Sequence, residues 1–139
     1  MLPKLCRTIY FTFFSSLALG VLIYLIFRDI PFLNVSKIFS IKGNNNPVLK
    51  LIFYSLPDAI WLYAFLTALK IIWKDRLFIE GKYWLFLAAI GACASEFAQK
   101  LQIIPGTFDW FDIVAYFLAI SLFISFNKTI FITQNKPTV

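Results

Sequence analysis

The sequence predicts an all-α membrane protein, a four-transmembrane-helix bundle with short loops and one longer outer loop. Hydrophobic residues make up 60% of the 139 residues and charged residues only 14%, and the mean hydropathy is +0.79. A soluble domain carries roughly 25% charged residues because its surface must be hydrated. Four apolar runs are each long enough to cross a hydrocarbon layer of roughly 30 Å. We therefore predict a single transmembrane domain over residues 1–139.

The four runs predict four helices. The first follows the basic residues Lys4 and Arg7, as the apolar core of a signal peptide does. Its length is close to that of a membrane span, and Ile26-Phe27-Arg28 follows where a cleaved signal would have small residues. The first run is therefore predicted to be a retained helix. The predicted helices cover residues of about 8–27, 55–74, 83–104 and 109–127.

The longest connection is predicted at residues 28–53, because the tract 43–47 (Gly-Asn-Asn-Asn-Pro) favours a loop. Residues 32–41 within it are apolar enough to lie along a membrane surface. The other two connections are short, and the tail after Asn127 is expected to fray. Small residues at 88–95 would let another helix approach the third helix closely, which predicts that the third helix lies at the centre of the bundle.

The distribution of basic residues predicts the orientation. Eight of the 13 Lys and Arg residues fall on the side of the N-terminus, and five on the other side. Because cytoplasmic loops carry an excess of Lys and Arg, both termini are predicted to be cytoplasmic. The net charge of +6 is scattered between apolar runs and forms no contiguous basic groove. Membrane lipid is therefore the expected partner, and nucleic acid is not.

Polar residues of three predicted helices converge on the outer side of this topology. Asp58 opens the second helix, Asp109 and Asp112 open the fourth, and Glu96 and Gln99 lie in the outer half of the third. These five residues are predicted to bind a ligand. Their net negative charge suits a cationic or hydroxyl-rich partner, or a divalent ion held by oxygen atoms. No dedicated metal site and no cofactor are predicted.

The acids at the helix ends also have a purely structural interpretation. The segment Ser55-Leu-Pro-Asp58 has the form of a capping box, with Pro in the first turn. Asp109 can act as the N-cap of the fourth helix, and Asp112 would complement the positive end of its dipole.

Glu96 is harder to explain, because a carboxylate at mid-bilayer costs about 3 kcal/mol. It could pair with Lys100, four residues later on the same helix. A hydrogen-bond network with the fourth helix would explain both Glu96 and Gln99. Alternatively, Glu96 belongs to a functional site, as ionisable groups within membranes commonly do.

The sequence contains no histidine, which excludes a Ser-His-Asp triad, a Cys-His pair and a His-ligated zinc site. No catalytic residue is predicted, and a non-enzymatic role is favoured. An intramembrane enzyme that uses paired carboxylates as general acid and base is an alternative. Another alternative is an accessory subunit or a homo-oligomer, since 17 Phe residues in a small bundle must face lipid or protein.

The motif Ser95-Glu-Phe-Ala-Gln99, followed by Pro105-Gly-Thr-Phe-Asp-Trp-Phe-Asp112, resembles the C-terminal signature of the VanZ-like family of small bacterial membrane proteins. That signature has Glu-x-x-Gln on one helix, a short turn, and Asp-x-x-Asp opening the last helix. The resemblance covers residues of about 55–122. Tyr116 and Ala119 stand where the family has Asn and Gly, and an Arg and a His common in the family are missing.

The resemblance implies a protein of the bacterial inner (cytoplasmic) membrane that is linked to the cell envelope. The founding member of the family is associated with resistance to a glycopeptide antibiotic, and the molecular activity of the family is poorly defined. Together with the acids, the resemblance leads us to expect an outer-face acidic pocket for a lipid headgroup or a lipid-linked glycan.

Overall fold

The computed structural model describes residues 2–27 and 47–134, in which all regular structure is helical. A short 3₁₀ turn, Lys74–Arg76, follows the second helix. The predicted all-α fold with four helices is confirmed, whereas the predicted surface segment at 32–41 lies outside the described residues. The helices are α1 (Leu2–Phe27), α2 (Pro47–Trp73), α3 (Lys82–Lys100) and α4 (Trp110–Gln134).

Three of these helices contain a segment that is long and apolar enough to cross a membrane. The segments are Arg7–Leu25 in α1, Tyr54–Arg76 in α2 and its 3₁₀ extension, and Trp110–Asn127 in α4. Helix α3 is not among them within the described residues. It is the shortest of the four helices, and it carries Glu96, Gln99 and Lys100 close to its end.

Helix α2, and not α3, lies at the centre of the bundle. Both α1 and α4 pack extensively along α2, whereas α3 makes lighter contacts with α2 and α4. The prediction that small residues make α3 central was wrong. Ala94 is exposed, and a Cβ atom added at Gly91 would meet nothing within 4 Å. Small residues permit close packing, but some of the small residues of α3, such as Gly91 and Ala94, face away from the other described helices.

The contact between α1 and α2 is built around Gly20. A Cβ atom at this position would lie 2.5 Å from two ring atoms of Trp61, so only glycine allows the ring to fit. Tyr24, one turn further along α1, stacks on the same Trp61 ring at 5.4 Å between centroids. The remaining surface of α1 is largely exposed and apolar. Close packing through glycine is typical of helix pairs in membranes.

The contact between α2 and α4 forms the main core. Leu66 of α2 and Phe123 of α4 are both almost fully buried. The Phe123 ring also meets Tyr63 edge to face, with centroids 6.2 Å apart, an arrangement that stabilises aromatic pairs. The buried members of this cluster are Leu62, Leu66, Leu69, Leu77, Tyr116 and Phe123.

The far end of α2 buries a positive charge. Lys70 is buried, and its Nζ donates a hydrogen bond of 2.9 Å to the carbonyl oxygen of Lys74. That carbonyl lies just past the end of α2, where a cation satisfies the unpaired carbonyls and complements the helix dipole. The bond accounts for a buried ammonium group that would otherwise be costly.

Helix α1 begins at Leu2, before the predicted residue 8, and two further helix boundaries differ from the predicted ones at the loop and the tail. Helix α2 begins at Pro47, so the predicted loop at 47–53 and the predicted capping box were wrong. Ser55 and Asp58 lie inside the helix, and Pro57 is an internal proline. Proline fits well in the first turn of a helix, so the sequence favoured a start there. Helix α4 continues to Gln134, beyond the predicted end at 127.

Helix α3 ends at Lys100 and not at the predicted residue 104. Gln102 has a φ of 57°, and two hydrogen bonds close the helix end around it. The N–H of Gln102 donates to Gln99 O (2.9 Å), and the N–H of Ile103 donates to Ala98 O (2.9 Å). This is the Schellman arrangement, which normally has glycine at the left-handed position. The apolar pair at 103–104 made the helix look longer than it is.

Replacing Gln102 by Gly should stabilise the protein by about 0.5 to 1 kcal/mol. Glycine removes the steric cost of the left-handed conformation, which outweighs the entropy that glycine adds to the unfolded chain. Thermal unfolding in detergent would measure the change. Leu101→Gly is the matched control, because Leu101 has a φ of −83° and glycine there should destabilise. Equal effects of the two substitutions would contradict the assignment.

Candidate functional site

Glu96 and Tyr116 form the buried centre of a polar cluster between α3 and α4. The Tyr116 hydroxyl donates a hydrogen bond of 3.3 Å to Glu96 Oε1. Glu96 lies one turn before the end of α3, and Tyr116 lies in the second turn of α4. The turn between the two helices therefore places these two residues side by side. Only 2% of Glu96 and 6% of Tyr116 is exposed. The second carboxylate oxygen, Glu96 Oε2, is buried and has no hydrogen-bond partner.

Lys100 is not the partner of Glu96, so the predicted intrahelical pair was wrong. The Lys100 Nζ lies 5.0 Å from the centre of the Phe108 ring and 5.6 Å from that of Trp110. A cation over aromatic faces is stabilised by the ring quadrupole. Arg76 and Glu80 form an exposed ion pair of 3.4 Å, far from this cluster. The alternative prediction was a hydrogen-bond network with the fourth helix that involves both Glu96 and Gln99, and it is confirmed for Glu96 by the bond from Tyr116.

Two further carboxylates surround this pair. Asp112 and Asp58 both act electrostatically on Glu96 and on Tyr116, and each raises the cost of a negative charge there. Asp112 lies one turn before Tyr116 on the same face of α4, and Asp58 comes from α2. Both are half-buried. Three helices therefore bring Glu96, Asp58 and Asp112 together, and we call these residues with Tyr116 the acidic cluster.

Asp109 caps helix α4, as the sequence predicts. Its Oδ1 accepts a hydrogen bond of 2.9 Å from the backbone N–H of Phe111, the second residue of the helix. This is the usual N-cap interaction. Asp109 therefore positions the start of α4 beside the acidic cluster, and its side chain serves the helix end.

Gln99 lies against the turn between α3 and α4. A Cβ atom added at Gly106 would be 2.5 Å from Gln99 Oε1 and 2.6 Å from its Cδ, so the amide packs directly on the glycine backbone. Gly106 has a φ of +146°, which only glycine adopts readily. Of the five predicted ligand-binding residues, the structure thus groups Glu96, Asp112 and Asp58 through their side chains. It places Asp109 at a helix cap and Gln99 on the turn.

Two residues near the acids were not among the predicted site residues. In the family resemblance Tyr116 is only a departure from the pattern, although its position one turn after Asp112 indicates a shared face. Ser55 is 4% exposed, and its Oγ is buried without a hydrogen-bond partner. It lies on the same stripe of α2 as Asp58 and the core residues Leu62 and Leu66. The apparent capping box concealed the role of Ser55 as a buried polar group.

The acidic cluster concentrates negative charge and hydrogen-bond acceptors. It favours a positively charged group or one rich in N–H and O–H donors. Within the described residues, no group of three His, Cys, Asp or Glu side chains is placed to hold a metal ion. No protein-family model, curated protein or solved structure matches the chain.

Proposed function

We propose that the chain is a VanZ-like, multi-pass protein of the bacterial cytoplasmic membrane whose acidic cluster binds a lipid headgroup or a lipid-linked glycan at the outer face. The observation that supports this most strongly is the burial of Glu96 beside two other carboxylates. A membrane helix that carries a buried acid normally turns it toward the bundle interior or toward a polar pathway. Three candidate spans and the motif resemblance support the membrane location.

In this proposal α3 is the fourth span. The Glu96 carboxylate of α3 faces α4 and accepts a hydrogen bond from Tyr116. The polar group that lowers the hydropathy of α3 is therefore shielded from lipid. Lys100 lies at its end, with its ammonium group over the rings of Phe108 and Trp110. Lys and Trp are the residues that commonly mark a membrane interface. The orientation with both termini in the cytoplasm rests on the excess of basic residues on that side.

A ligand explains the acidic cluster better than a purely structural role does. A structural hydrogen bond from Tyr116 needs only one neutral acceptor, such as the side chain of Gln. Glu96 instead adds a charge, leaves Oε2 without a partner and stands near Asp58 and Asp112. Buried polar atoms without partners cost about 1 to 3 kcal/mol, and more when they are charged. Such a cost is expected where function requires it.

The direct test is lipid retention by purified protein carrying Glu96→Gln, measured by native mass spectrometry after incubation with a mixed bacterial lipid extract. Glutamine keeps the shape of the side chain and an acceptor for Tyr116 but removes the charge. We expect retained lipid to fall at least tenfold. The matched control is Glu80→Gln, because Glu80 is exposed and lies next to Arg76, outside the cluster. Unchanged retention by a folded Glu96→Gln protein would rule out the proposal.

A second candidate function is that of an accessory subunit in a membrane complex. The observation that favours it is the outward face of α3, where Gly91 has open space in front of it and Leu87, Ile90 and Phe97 are exposed. A cysteine at Gly91 would test this role through crosslinking in membranes, with Ala18→Cys on the exposed side of α1 as the control. A discrete crosslinked partner from Gly91→Cys alone would support it, and random crosslinking from both sites would count against it.

A further inference from the structure

The turn between α3 and α4, residues 101–109, presents an apolar and almost uncharged surface. The tract 101–108 (Leu-Gln-Ile-Ile-Pro-Gly-Thr-Phe) contains no acidic or basic residue. Leu101 is 69% exposed, Ile103 is 72% exposed, and Ile104 is exposed beside them. Turns that face water normally carry polar side chains, and a group of exposed aliphatic residues marks a contact with lipid or protein.

The turn at the other end of α3, which joins it to α2, is built in the reverse way. Its aliphatic Leu77 is completely buried. The charged tract 74–76 (Lys-Asp-Arg) is exposed, and Arg76 pairs with Glu80 at 3.4 Å. Ile79 is exposed among these charges. This turn has the surface expected in water, so the two ends of α3 differ in the surroundings that they fit.

We infer that the turn between α3 and α4 is inserted into the boundary between the headgroups and the acyl chains of a lipid bilayer, with Leu101, Ile103 and Ile104 in contact with lipid. The inference rests on the proposed membrane location and adds the depth of this end of the bundle. Aliphatic side chains gain free energy when they leave water. Apolar side chains of interfacial segments reach about 5 to 10 Å into this boundary.

The backbone of the turn suits the boundary and not the hydrocarbon core. In the core, free N–H and C=O groups would have no partners. Three successive N–H groups of the turn already donate back to α3, those of Leu101, Gln102 and Ile103. Pro105 has no N–H to satisfy. The remaining backbone groups can bond to water and to lipid phosphates at the boundary.

A lysine and three aromatic rings beside the turn favour lipid over a protein partner. Lys100 is exposed and holds its Nζ over the rings of Phe108 and Trp110. The Phe108 ring also meets that of Phe97, with centroids 6.1 Å apart. Lys and Trp side chains commonly lie at a membrane boundary, where the ammonium group stays near water and phosphates. Lysine is depleted from protein interfaces.

The insertion has a consequence for the acidic cluster. Glu96 precedes Lys100 by four residues on α3, which corresponds to about 6 Å along the helix axis. An inserted turn therefore places Glu96 deeper than the lipid phosphates at this end of the bundle. Lipids of the same leaflet are then the nearest possible ligands of the acidic cluster.

The test measures the depth of position 103 in the full-length chain, reconstituted into vesicles of phosphatidylethanolamine and phosphatidylglycerol. Cys6 and Cys93 are replaced by Ser, and Ile103→Cys carries an environment-sensitive fluorophore. A nitroxide on the upper acyl chain should quench this fluorophore severalfold more than the same fluorophore at Glu80→Cys, and iodide in the water should quench in the opposite order. Glu80→Cys is the matched control, because Glu80 is exposed in the turn at the other end of α3.

The outcomes separate this inference from the proposed function. Equal quenching by iodide at the two positions would place the turn in water and overturn the inference, without affecting headgroup binding. Weak quenching by both agents at position 103 would mean that protein covers the turn, which would also overturn it. A chain that does not float with the vesicles would overturn the proposed membrane location as well. Leu101→Cys repeats the measurement at a second exposed position and should give the same result as Ile103→Cys.

Discussion

Replacing Tyr116 by Phe should lower the free energy of unfolding by about 2 kcal/mol, although it removes a single oxygen atom. Tyr116 is the donor to the buried Glu96 carboxylate, and Oε2 of the same group has no partner. A buried charged group that loses its hydrogen bond costs about 1 to 3 kcal/mol or more. Unfolding by titration with a denaturing detergent, followed by circular dichroism, would measure the loss. Tyr83→Phe is the matched control, since Tyr83 is exposed on α3.

The double variant with Tyr116→Phe and Glu96→Leu sharpens this expectation. Removing both partners leaves no buried charge to satisfy, and replacing buried ionic groups by apolar ones is often neutral or stabilising. We therefore expect the double variant to be at least as stable as the unmodified protein while losing lipid retention. If the double variant is less stable than either single variant, Glu96 serves the fold and its burial needs no functional explanation.

Replacing Gly20 by Val should separate α1 from the rest of the bundle. The Cβ atom alone would lie 2.5 Å from the Trp61 ring, and the ring cannot move freely because Tyr24 stacks on it. Overpacking a tight contact costs about 1 to 3 kcal/mol and sometimes more. Hydrogen exchange followed by mass spectrometry should show a loss of protection in α1 with little change in α4, because α4 packs on a different side of α2.

The control for this variant is Ala18→Val, which adds a similar volume at an exposed position two residues earlier on the same helix. It should leave exchange in α1 unchanged. Comparable loss of protection in both variants would mean that valine weakens α1 itself and that the Trp61 contact is not decisive.

The sequence alone predicted the helical fold and the meeting of three acids, because both follow from one-dimensional patterns. Three of the four described helices contain an apolar run of membrane length. The alternation of helix directions then places Asp58, Glu96 and Asp112 near the same end of the bundle. The capping role of Asp109 was also readable, since an acid just before an apolar run commonly accepts from the first turn.

The centre of the bundle and several helix ends could not be read in the same way. The small residues of α3 would allow another helix to pack closely against it. Which helices pack together also depends on the surface of α2, where Leu62, Leu66 and Trp61 make larger contacts. Pro57 lies inside α2, although its sequence context suits a first turn equally well. The partner of Glu96 was misjudged because Lys100 has a second option in the rings of Phe108 and Trp110, which sequence spacing does not reveal.

The bond between Tyr116 and Glu96 also has a consequence for the order of biosynthesis. The two residues are 20 positions apart, so the ribosome makes the acid well before its donor. Helix α1 can dock on α2 through Gly20 and Trp61 as soon as both are synthesised. Helix α3 lacks its hydrogen bond until the first two turns of α4 exist. In the proposed membrane arrangement, we therefore expect α3 and α4 to leave the insertion machinery as a paired hairpin, after α1 and α2 have assembled.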